Sequence, residues 1–192
     1  YAMDLDSIFE DYIAPNRTLL SGFQDIYTCL PPLAGAMGAI RDFGNAHLLR
    51  RILDNSDLDM DAPDSRGDTL LATWCEEAEC EIAPIFEVLV SRGANVNQVR
   101  EGDGVSPCSM AADSAEFQDT KLRLLLERGA SIAVGVSPLL LLCGDRQEAG
   151  FVSPNVKALK LLLSHGCDIM ETGGRGKTAV ELVDLHLRKF QD

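Results

Sequence analysis

A glycine-rich string late in the sequence contains residue types that could bind phosphate. It reads ETGGRGKTAVEL from Glu171 to Leu182. Nucleotide-binding loops also end in Gly-Lys-Thr, because their backbone N–H groups and lysine cradle the phosphates. Such a loop requires another glycine five residues before that Gly, where this sequence has Glu171. The preceding segment, LKLLLSHGCDIM, is typical of a helix and not of the required strand. A nucleotide-binding enzyme acting through this string is therefore the weakest alternative that we consider.

Two other sets of residues could bind metal. The segment DLDMDAPDSRGD, from Asp57 to Asp68, has Asp at the first three ligand positions of a calcium loop. However, Ala62 replaces the required turn glycine, and Asp68 stands where a bidentate glutamate belongs. The six cysteines and three histidines are scattered, without the paired spacing of a zinc site. We therefore expect no metal and no cofactor.

The residues that could act as nucleophiles lie in an unfavourable setting. Cys75 and Cys80 are surrounded in sequence by Glu76, Glu77 and Glu79. These negative charges oppose formation of the thiolate that a catalytic cysteine needs. Spacing assigns no Ser-His-Asp or Cys-His set among the other residues. We therefore expect no catalytic residues and no enzymatic activity.

Acidic residues are concentrated in one window of the chain. The net charge is −13, and the window from Asp54 to Glu87 contains eleven acids and a single base, Arg66. The negative electrostatic potential of such a cluster repels nucleic acids and accelerates encounters with a basic protein. The simpler interpretation is a solvated face that keeps the chain in solution. Both interpretations stay open, and we expect no nucleic-acid partner.

The sequence shows no pattern of a membrane span or of an export signal. It has no run of 18 apolar residues, and its opening YAMDLDS lacks the basic and apolar regions of a signal peptide. The scattered cysteines are expected to be reduced and mostly buried. The sequence therefore predicts an intracellular protein of the cytoplasm or nucleus, which is monomeric and has no membrane partner.

Two blocks recur along the chain with a period of about 36 residues. The first is a Gly-x-Ser/Thr-x-apolar unit with the sequences GDTLL, GVSPC, GVSPL and GKTAV. These units begin at Gly67, Gly104, Gly135 and Gly176. The second is an apolar segment that ends in glycine, as in FEVLVSRG, LRLLLERG and LKLLLSHG. These segments end at Gly93, Gly129 and Gly166, which are 36 and 37 residues apart.

Each block has a physical interpretation. The apolar segments predict helices that end at a glycine in the left-handed conformation. The Ser or Thr of the next unit can cap a new helix, and Pro107 and Pro138 then stand at the first helical position, where no N–H is needed. The repeating unit is therefore a helix, a turn, an extended finger and another helix.

The pattern resembles ankyrin repeats. Gly93 to Asn97, GANVN, is similar to the G-A-D-V-N ending of the family's second helix, and Ser106-Pro107 with Met110 to Ala112 is similar to its T-P-L-H-x-A motif. The resemblance covers about Leu30 to Lys189. It implies an all-α fold, an ankyrin-repeat solenoid of stacked helix-turn-helix units with short β-hairpin or finger loops. About four repeats plus terminal caps are expected.

The same resemblance divides the chain into segments. Residues 1–27 are expected to form an N-terminal helical cap, and residues 28–192 the repeats. The repeats are placed at about 28–63, 64–100, 101–132 and 133–172, followed by a partial repeat or C-terminal cap at 173–192. The first repeat is degenerate, with its first helix at Pro32 to Ala36. The finger between Gly129 and Ser137 is short, and an insertion is expected near Gly144 to Asn155, in a loop at the edge of the stack.

The resemblance also implies where a partner protein binds. In the family, contacts concentrate at finger tips and at exposed residues of the first helices. Carried over by position, the predicted contact residues of the second repeat are Ser65, Arg66, Asp68, Glu76 and Glu77. Those of the third repeat are Asp103, Val105, Asp113 and Ser114. The tip before the last predicted first helix adds Arg175 and Lys177.

Two further residues have alternative interpretations. Trp74 stands where the motif has a small Ala, so it either fills a gap in the core or is a partly exposed anchor, and it is kept among the candidate partner-contact residues. Asn97, with Leu89 eight residues before it, resembles the site that asparagine hydroxylases modify in ankyrin repeats. The alternative is a structural Asn that bonds its own hairpin.

The function that the resemblance implies is non-enzymatic. The chain is expected to be a protein–protein interaction module, either free-standing or part of a larger scaffold, with a concave surface that binds a protein segment. Because the acidic window overlaps the predicted contact residues, a Lys/Arg-rich partner segment is one candidate, and a groove that is simply solvated is the other. The alternative is a stoichiometric chaperone or inhibitor of one basic protein.

Overall fold

The computed structural model describes residues 46–54, 57–64, 67–77, 81–114, 117–145 and 155–189. The helices in these ranges are α1 (Ala46–Asp54), α2 (Leu70–Glu77), α3 (Ile82–Ser91), α4 (Pro107–Asp113), α5 (Gln118–Glu127), α6 (Pro138–Leu142), α7 (Val156–Ser164) and α8 (Ala179–Lys189). The same ranges contain no β-strand, which confirms the predicted all-α class. The predicted N-terminal cap, the predicted helix at 32–36 and most of the predicted insertion lie outside the described residues.

The chain divides into two compact units. The first consists of residues 1–73 and 78–94, and the second of residues 74–77 and 95–192. In the first unit, α1 packs against α3. Its core contains apolar side chains at 2% exposure or less: Leu49, Leu53, Ile85, Phe86 and Leu89. Burying such a side chain contributes about 1.5–3 kcal/mol to the stability of the fold.

The helices of the second unit pack in successive layers. α4 contacts α5 and α6, α7 contacts α5 and α6, and α8 contacts α6. These contacts place α4 and α5 in one layer and α6 and α7 in the next, with α8 against α6. The core between the layers includes Met110, Leu122, Leu125, Leu139, Leu162 and Leu182.

Left-handed glycines follow the helices at the predicted positions. Gly93, Gly129 and Gly166 have φ angles of 92, 84 and 90°. After α5, for example, the Gly129 N–H and the next N–H bond the carbonyls of Leu126 and Leu125 at 3.1 and 3.0 Å. This pair of bonds satisfies carbonyls that the end of a helix otherwise leaves without donors. Gly144, with a φ of 87°, ends α6 in the same way, although the repeat pattern did not predict it.

Hydroxyl side chains cap the start of three helices, as predicted. Thr69, Ser106 and Thr178 each accept a hydrogen bond from the backbone N–H three residues later, at 3.2, 3.3 and 3.4 Å. Proline begins both α4 and α6. Ser137 differs from the prediction, because its side chain makes no capping hydrogen bond to α6.

A second turn recurs with the period of the sequence. The side-chain oxygens of Asp59, Asn95, Ser131 and Asp168 each accept a hydrogen bond from the N–H two residues later, at 3.0, 2.9, 3.2 and 2.8 Å. These residues are 36, 36 and 37 positions apart. Asp, Asn and Ser favour such turns because their short polar side chains reach the nearby backbone. The period is therefore present in the backbone even around Asp59, where the sequence pattern is weakest.

Candidate partner-binding surface

The predicted finger tips are tight turns that are closed by backbone hydrogen bonds. In three of them a backbone N–H donates across the turn, from Asp64 to Asp68 at 2.9 Å, from Arg100 to Val105 at 2.8 Å and from Gly173 to Lys177 at 3.0 Å. A glycine with positive φ stands immediately before each acceptor, where a residue with a side chain would be strained. The expected β-hairpins are reduced in the described residues to these turns and to one antiparallel bridge, between Thr172 and Thr178.

Arg100 brings together two of the predicted contact residues within the second unit. Its Nη2 lies 2.8 Å from Oδ2 of Asp103, and its Nε donates to Oδ1 of the same carboxylate at 3.1 Å. Its Nη1 lies 3.6 Å from Oε1 of Glu76 at the end of α2. The cluster of these three residues therefore joins a first helix to a finger tip.

Sequence reasoning missed the role of Arg100. The signal was present, because Arg100 precedes Asp103 by three residues in a Gly-rich turn, where a bidentate pair can form locally. The side chains of Glu76 and Asp103 are 32% and 38% exposed, and that of Arg100 is 18% exposed. This cluster presents two accessible carboxylates that already share one guanidinium.

Four of the candidate contact residues are buried, and for three of them, Asp68, Val105 and Ser114, the expectation of an exposed position was wrong. The four are Asp68, Trp74, Val105 and Ser114, at 2%, 3%, 2% and 7% exposure. The backbone carbonyls of Asp68 and Val105 accept the hydrogen bonds across their turns. Both residues lie just before a helix, where the chain turns toward the core. Trp74 belongs to the core, which agrees with the first of its two interpretations. Ser114 donates to the carbonyl of Ala111 at 3.2 Å, at the end of α4.

The other predicted contact residues are placed differently. Asp113, at the end of α4, is half-buried. Arg175 is exposed at the tip of its turn, and Lys177 is half-buried. Ser65 and Arg66, together with the side chain of Glu77, lie outside the described residues.

The string GGRGKT forms a turn followed by the start of a helix. The N–H of Gly176 bonds the carbonyl of Gly173 at 2.9 Å. Thr178 and Glu181 form a reciprocal cap, because the N–H of Thr178 donates to Oε2 of Glu181 at 2.8 Å. The element before this turn is α7. The N–H of Gly174 donates to a carboxylate oxygen of Asp145 at 3.1 Å, so a side chain of the protein itself occupies a donor that a phosphate would need.

Asn97 makes contacts that its sequence position did not reveal. Its Oδ1 accepts a hydrogen bond from the N–H of Ser131 at 2.7 Å, and its Nδ2 donates to the carbonyl of Gly129 at 3.2 Å. Its own N–H donates to Oδ1 of Asn95 at 2.9 Å. Asn97 therefore links two successive turns of the second unit as well as stabilising its own. The hydroxylation of Asn97 stays a prediction.

Burial suppresses the ionisation of the described cysteine thiols. It raises the pKa of Cys108 to about 12 and the pKa of Cys143 and of Cys167 to about 11. The pKa of Cys75 is raised well above its ordinary value by burial first, and also by Cys108 and Glu76. All four thiols are thus protonated at neutral pH, and they lack the thiolate that nucleophilic attack requires.

The part of the chain that the structure describes contains no candidate metal site and no candidate membrane span. No three His, Cys, Asp or Glu side chains of these residues are grouped to hold a metal ion. None of the helices in the same ranges has the length and apolar character needed to cross a bilayer. No protein-family model matches the sequence.

Proposed function

We propose that the chain is a non-enzymatic ankyrin-repeat module that binds a segment of a partner protein. The fold part of this proposal is supported by features that recur at the same spacing. Left-handed glycines end successive helices, side-chain turns follow 36 or 37 residues apart, and Ser or Thr precedes the next helix. Helices of the second unit also pack layer on layer. This combination is typical of a repeat array, in which each unit contacts its neighbours.

The binding surface that we propose lies within the second unit and comprises the exposed parts of the turns at residues 100–105 and 173–177 together with the end of α2 at Glu76. The observation that carries it is the cluster of Glu76, Arg100 and Asp103, in which a finger tip and a first helix present carboxylates at one place. The cluster contains two carboxylates and one guanidinium. Because these groups are partly exposed, a Lys or Arg of a partner can add to the cluster without the full cost of desolvation.

Four of the predicted contact residues are too buried to belong to this surface: Asp68, Trp74, Val105 and Ser114. A partner is expected to contact Glu76, Asp103 and the exposed Arg175, and the buried residues support the fold beneath them. Arg175 adds an exposed base to a surface whose acids are Glu76 and Asp103 and whose other bases are Arg100 and the half-buried Lys177. We therefore propose a partner segment that is rich in Lys and Arg and that also carries an acid for Arg175.

Site-specific crosslinking tests the location of the surface. A photo-reactive residue replaces Asp103 in one variant and the exposed Arg123 of α5 in the control. Adducts with a Lys/Arg-rich segment are expected from position 103 and not from position 123. Equal labelling from the two positions would contradict the proposed surface.

Charge reversal then tests the chemistry of the surface. With the crosslinked segment as a synthetic peptide, Glu76→Lys with Asp103→Lys is expected to weaken binding at least tenfold, which corresponds to about 1.4 kcal/mol. Glu127→Lys, a reversal of an exposed acid on α5, serves as the control. Binding should also weaken as salt is added, because exposed charges are screened. Affinity that is indifferent to both the reversal and salt would overturn the proposal of a basic partner.

A further inference from the structure

A lysine lies in the apolar core of the second unit. Lys121 of α5 is 1% exposed. Its counterparts 36 residues earlier and 37 residues later, Ile85 and Ala158, are fully buried apolar residues. Burying a lysine nitrogen costs far more than burying an apolar side chain unless that nitrogen is bonded. The contacts of the Lys121 nitrogen therefore decide what a lysine does at this position of the repeat.

The lysine nitrogen bonds the end of another helix. Nζ of Lys121 donates to the backbone carbonyl of Cys75 at 2.9 Å, and this hydrogen bond is buried. Cys75 lies in the last turn of α2, which ends at Glu77. The carbonyls of a last turn have no donor within their own helix, and a lysine near them interacts favourably with the helix dipole. Lys121 thus supplies a donor for α2 from 46 residues later in the chain.

The residue after Cys75 is Glu76, which belongs to the proposed binding surface. Its carboxylate lies 3.6 Å from Nη1 of Arg100. The end of α2, the turn that contains Arg100, and α5 all belong to the second unit. Lys121 holds the backbone of the last turn from its buried side, and Arg100 contacts a side chain of the same turn at the surface. Because exposed ion pairs are weak, the buried bond is the stronger constraint on where this turn lies.

We propose that Lys121 is a positioning residue of the partner-binding surface. Its bond to the carbonyl of Cys75 holds the last turn of α2, so that the carboxylate of Glu76 stays beside Arg100. The effect on the turn is independent of any partner, whereas its consequence for binding rests on the proposed function. Without the lysine nitrogen, the turn opens more often and Glu76 leaves the cluster.

The thiol of Cys75 reports whether this turn opens. Cys75 and Cys143 are 0% and 1% exposed, so both are protected from a thiol reagent until the structure around them opens. Burial raises the pKa of Cys75, and the positive charge of Lys121 lowers it by a smaller amount. Removing that charge makes the thiol less reactive as long as the turn stays closed. Faster labelling of Cys75 in a Lys121 variant therefore measures opening of the turn.

Thiol labelling followed by mass spectrometry tests the proposal in Lys121→Met, which keeps a long apolar side chain without the donor. The labelling rate of Cys75 is expected to rise about tenfold relative to that of Cys143 in the same molecules. Leu125→Ala removes a fully buried side chain from the same helix and serves as the control. It should loosen the core in general and leave the ratio of the two rates close to that of the wild type.

Two further measurements keep the test decisive if Lys121→Met does not fold. Lys121→Ala, which copies Ala158 at the counterpart position, should raise the ratio in the same way, and circular dichroism identifies the folded variants. An unchanged ratio in a folded Lys121 variant, or an equal rise in Leu125→Ala, would overturn the proposal. So would a wild-type Cys75 that reacts as fast as a small free thiol, because the turn would then be open without any substitution.

Binding of the crosslinked peptide separates this inference from the proposed function. Glu76→Lys should weaken binding less in the Lys121→Met background than in the wild type, whereas Asp103→Lys should weaken it equally in both. An equal effect of Glu76→Lys in the two backgrounds would contradict the positioning role. If Glu76→Lys has no effect on the wild type, the proposed surface is wrong, and the labelling rates alone decide the role of Lys121.

Discussion

The side-chain oxygen of Asn97 lies 2.7 Å from the backbone nitrogen of Ser131, thirty-four residues later in the sequence. The amide nitrogen of the same side chain reaches the carbonyl of Gly129 at 3.2 Å. One half-buried side chain thus satisfies a donor and an acceptor of the next turn. Because both backbone groups lie between helices α5 and α6, Asn97 connects the turn that precedes α4 to the turn that follows α5.

Replacing Asn97 should therefore lower stability through the lost bonds between turns. We expect Asn97→Ala to cost about 1 kcal/mol of the free energy of unfolding, because two backbone groups exchange their protein partner for water. Asn97→Asp keeps the acceptor for Ser131 but places a carboxylate oxygen against the carbonyl of Gly129, so this variant should also be less stable than the wild type. Urea denaturation measures both variants, and an Asn97→Ala midpoint equal to that of the wild type would contradict the role.

Gly135 lies directly against the preceding finger turn, at Gly104. A Cβ at this position would lie 2.2 Å from the carbonyl oxygen of Gly104, and the φ of Gly135 is 74°. The neighbouring N–H of Val136 donates to the same oxygen at 2.9 Å. Gly135→Ala therefore combines backbone strain, about 1–2 kcal/mol, with a clash against backbone that cannot move alone.

Gly129 provides the matched control for that substitution. Its φ is 84°, but no atom lies within 4 Å of the position where a Cβ would be. We expect Gly129→Ala to lower the free energy of unfolding by about 1 kcal/mol, through backbone strain alone. Gly135→Ala should lower it by at least about 2 kcal/mol more. Thermal and urea unfolding compare the two variants. Equal losses would show that the two turns are not in contact in solution.

The sequence predicted the local features of the fold better than the site. The glycine ends of helices and the caps at Thr69 and Ser106 depend on residues close in sequence, so a repeating pattern was enough to place them. The burial of Val105 depends on how the Gly104 turn directs the next residue, and the burial of Trp74 depends on packing. The spacing of residues in the sequence does not by itself predict either burial. The pairing of Arg100 with Glu76 likewise requires a finger and a helix to be adjacent in three dimensions.

Phe117 is held in a backbone conformation that favours glycine. Its φ is 56°, and it precedes α5 with 43% of its side chain exposed. Glu81, which precedes α3, has the corresponding conformation with a φ of 41°. Because the side chain of Phe117 is not deeply packed, its replacement tests backbone strain more than loss of contacts.

Two substitutions at Phe117 separate these effects. Phe117→Ala keeps the left-handed strain, and Phe117→Gly removes it while giving the unfolded chain more freedom. We expect Phe117→Gly to be more stable than Phe117→Ala by about 1 kcal/mol. Chemical denaturation measures the difference directly. If the Ala variant is the more stable of the two, the left-handed conformation is not maintained in solution.

The buried thiol of Cys108 should make stability depend on alkaline pH. Burial raises its pKa from 9.0 to about 12, with a smaller contribution from Cys167. The folded state therefore holds this proton more tightly than the unfolded chain does. Its contribution to stability is fully present below pH 9, and it is lost as the pH rises from 9 through 12. At pH 10 the loss from this one thiol should be about 1.4 kcal/mol, since one pH unit separates that pH from the ordinary pKa.

Comparison with Cys108→Ala isolates this thiol from the other groups that titrate at high pH. We expect Cys108→Ala to be less stable than the wild type at pH 7, because it leaves a cavity in the core. The difference between the two proteins should narrow at pH 10, where the wild type alone has begun to lose the contribution of the thiol. Urea midpoints at both pH values measure the change. A difference that stays constant would mean that Cys108 is not protonated by burial, and that solvent reaches the core beneath α4.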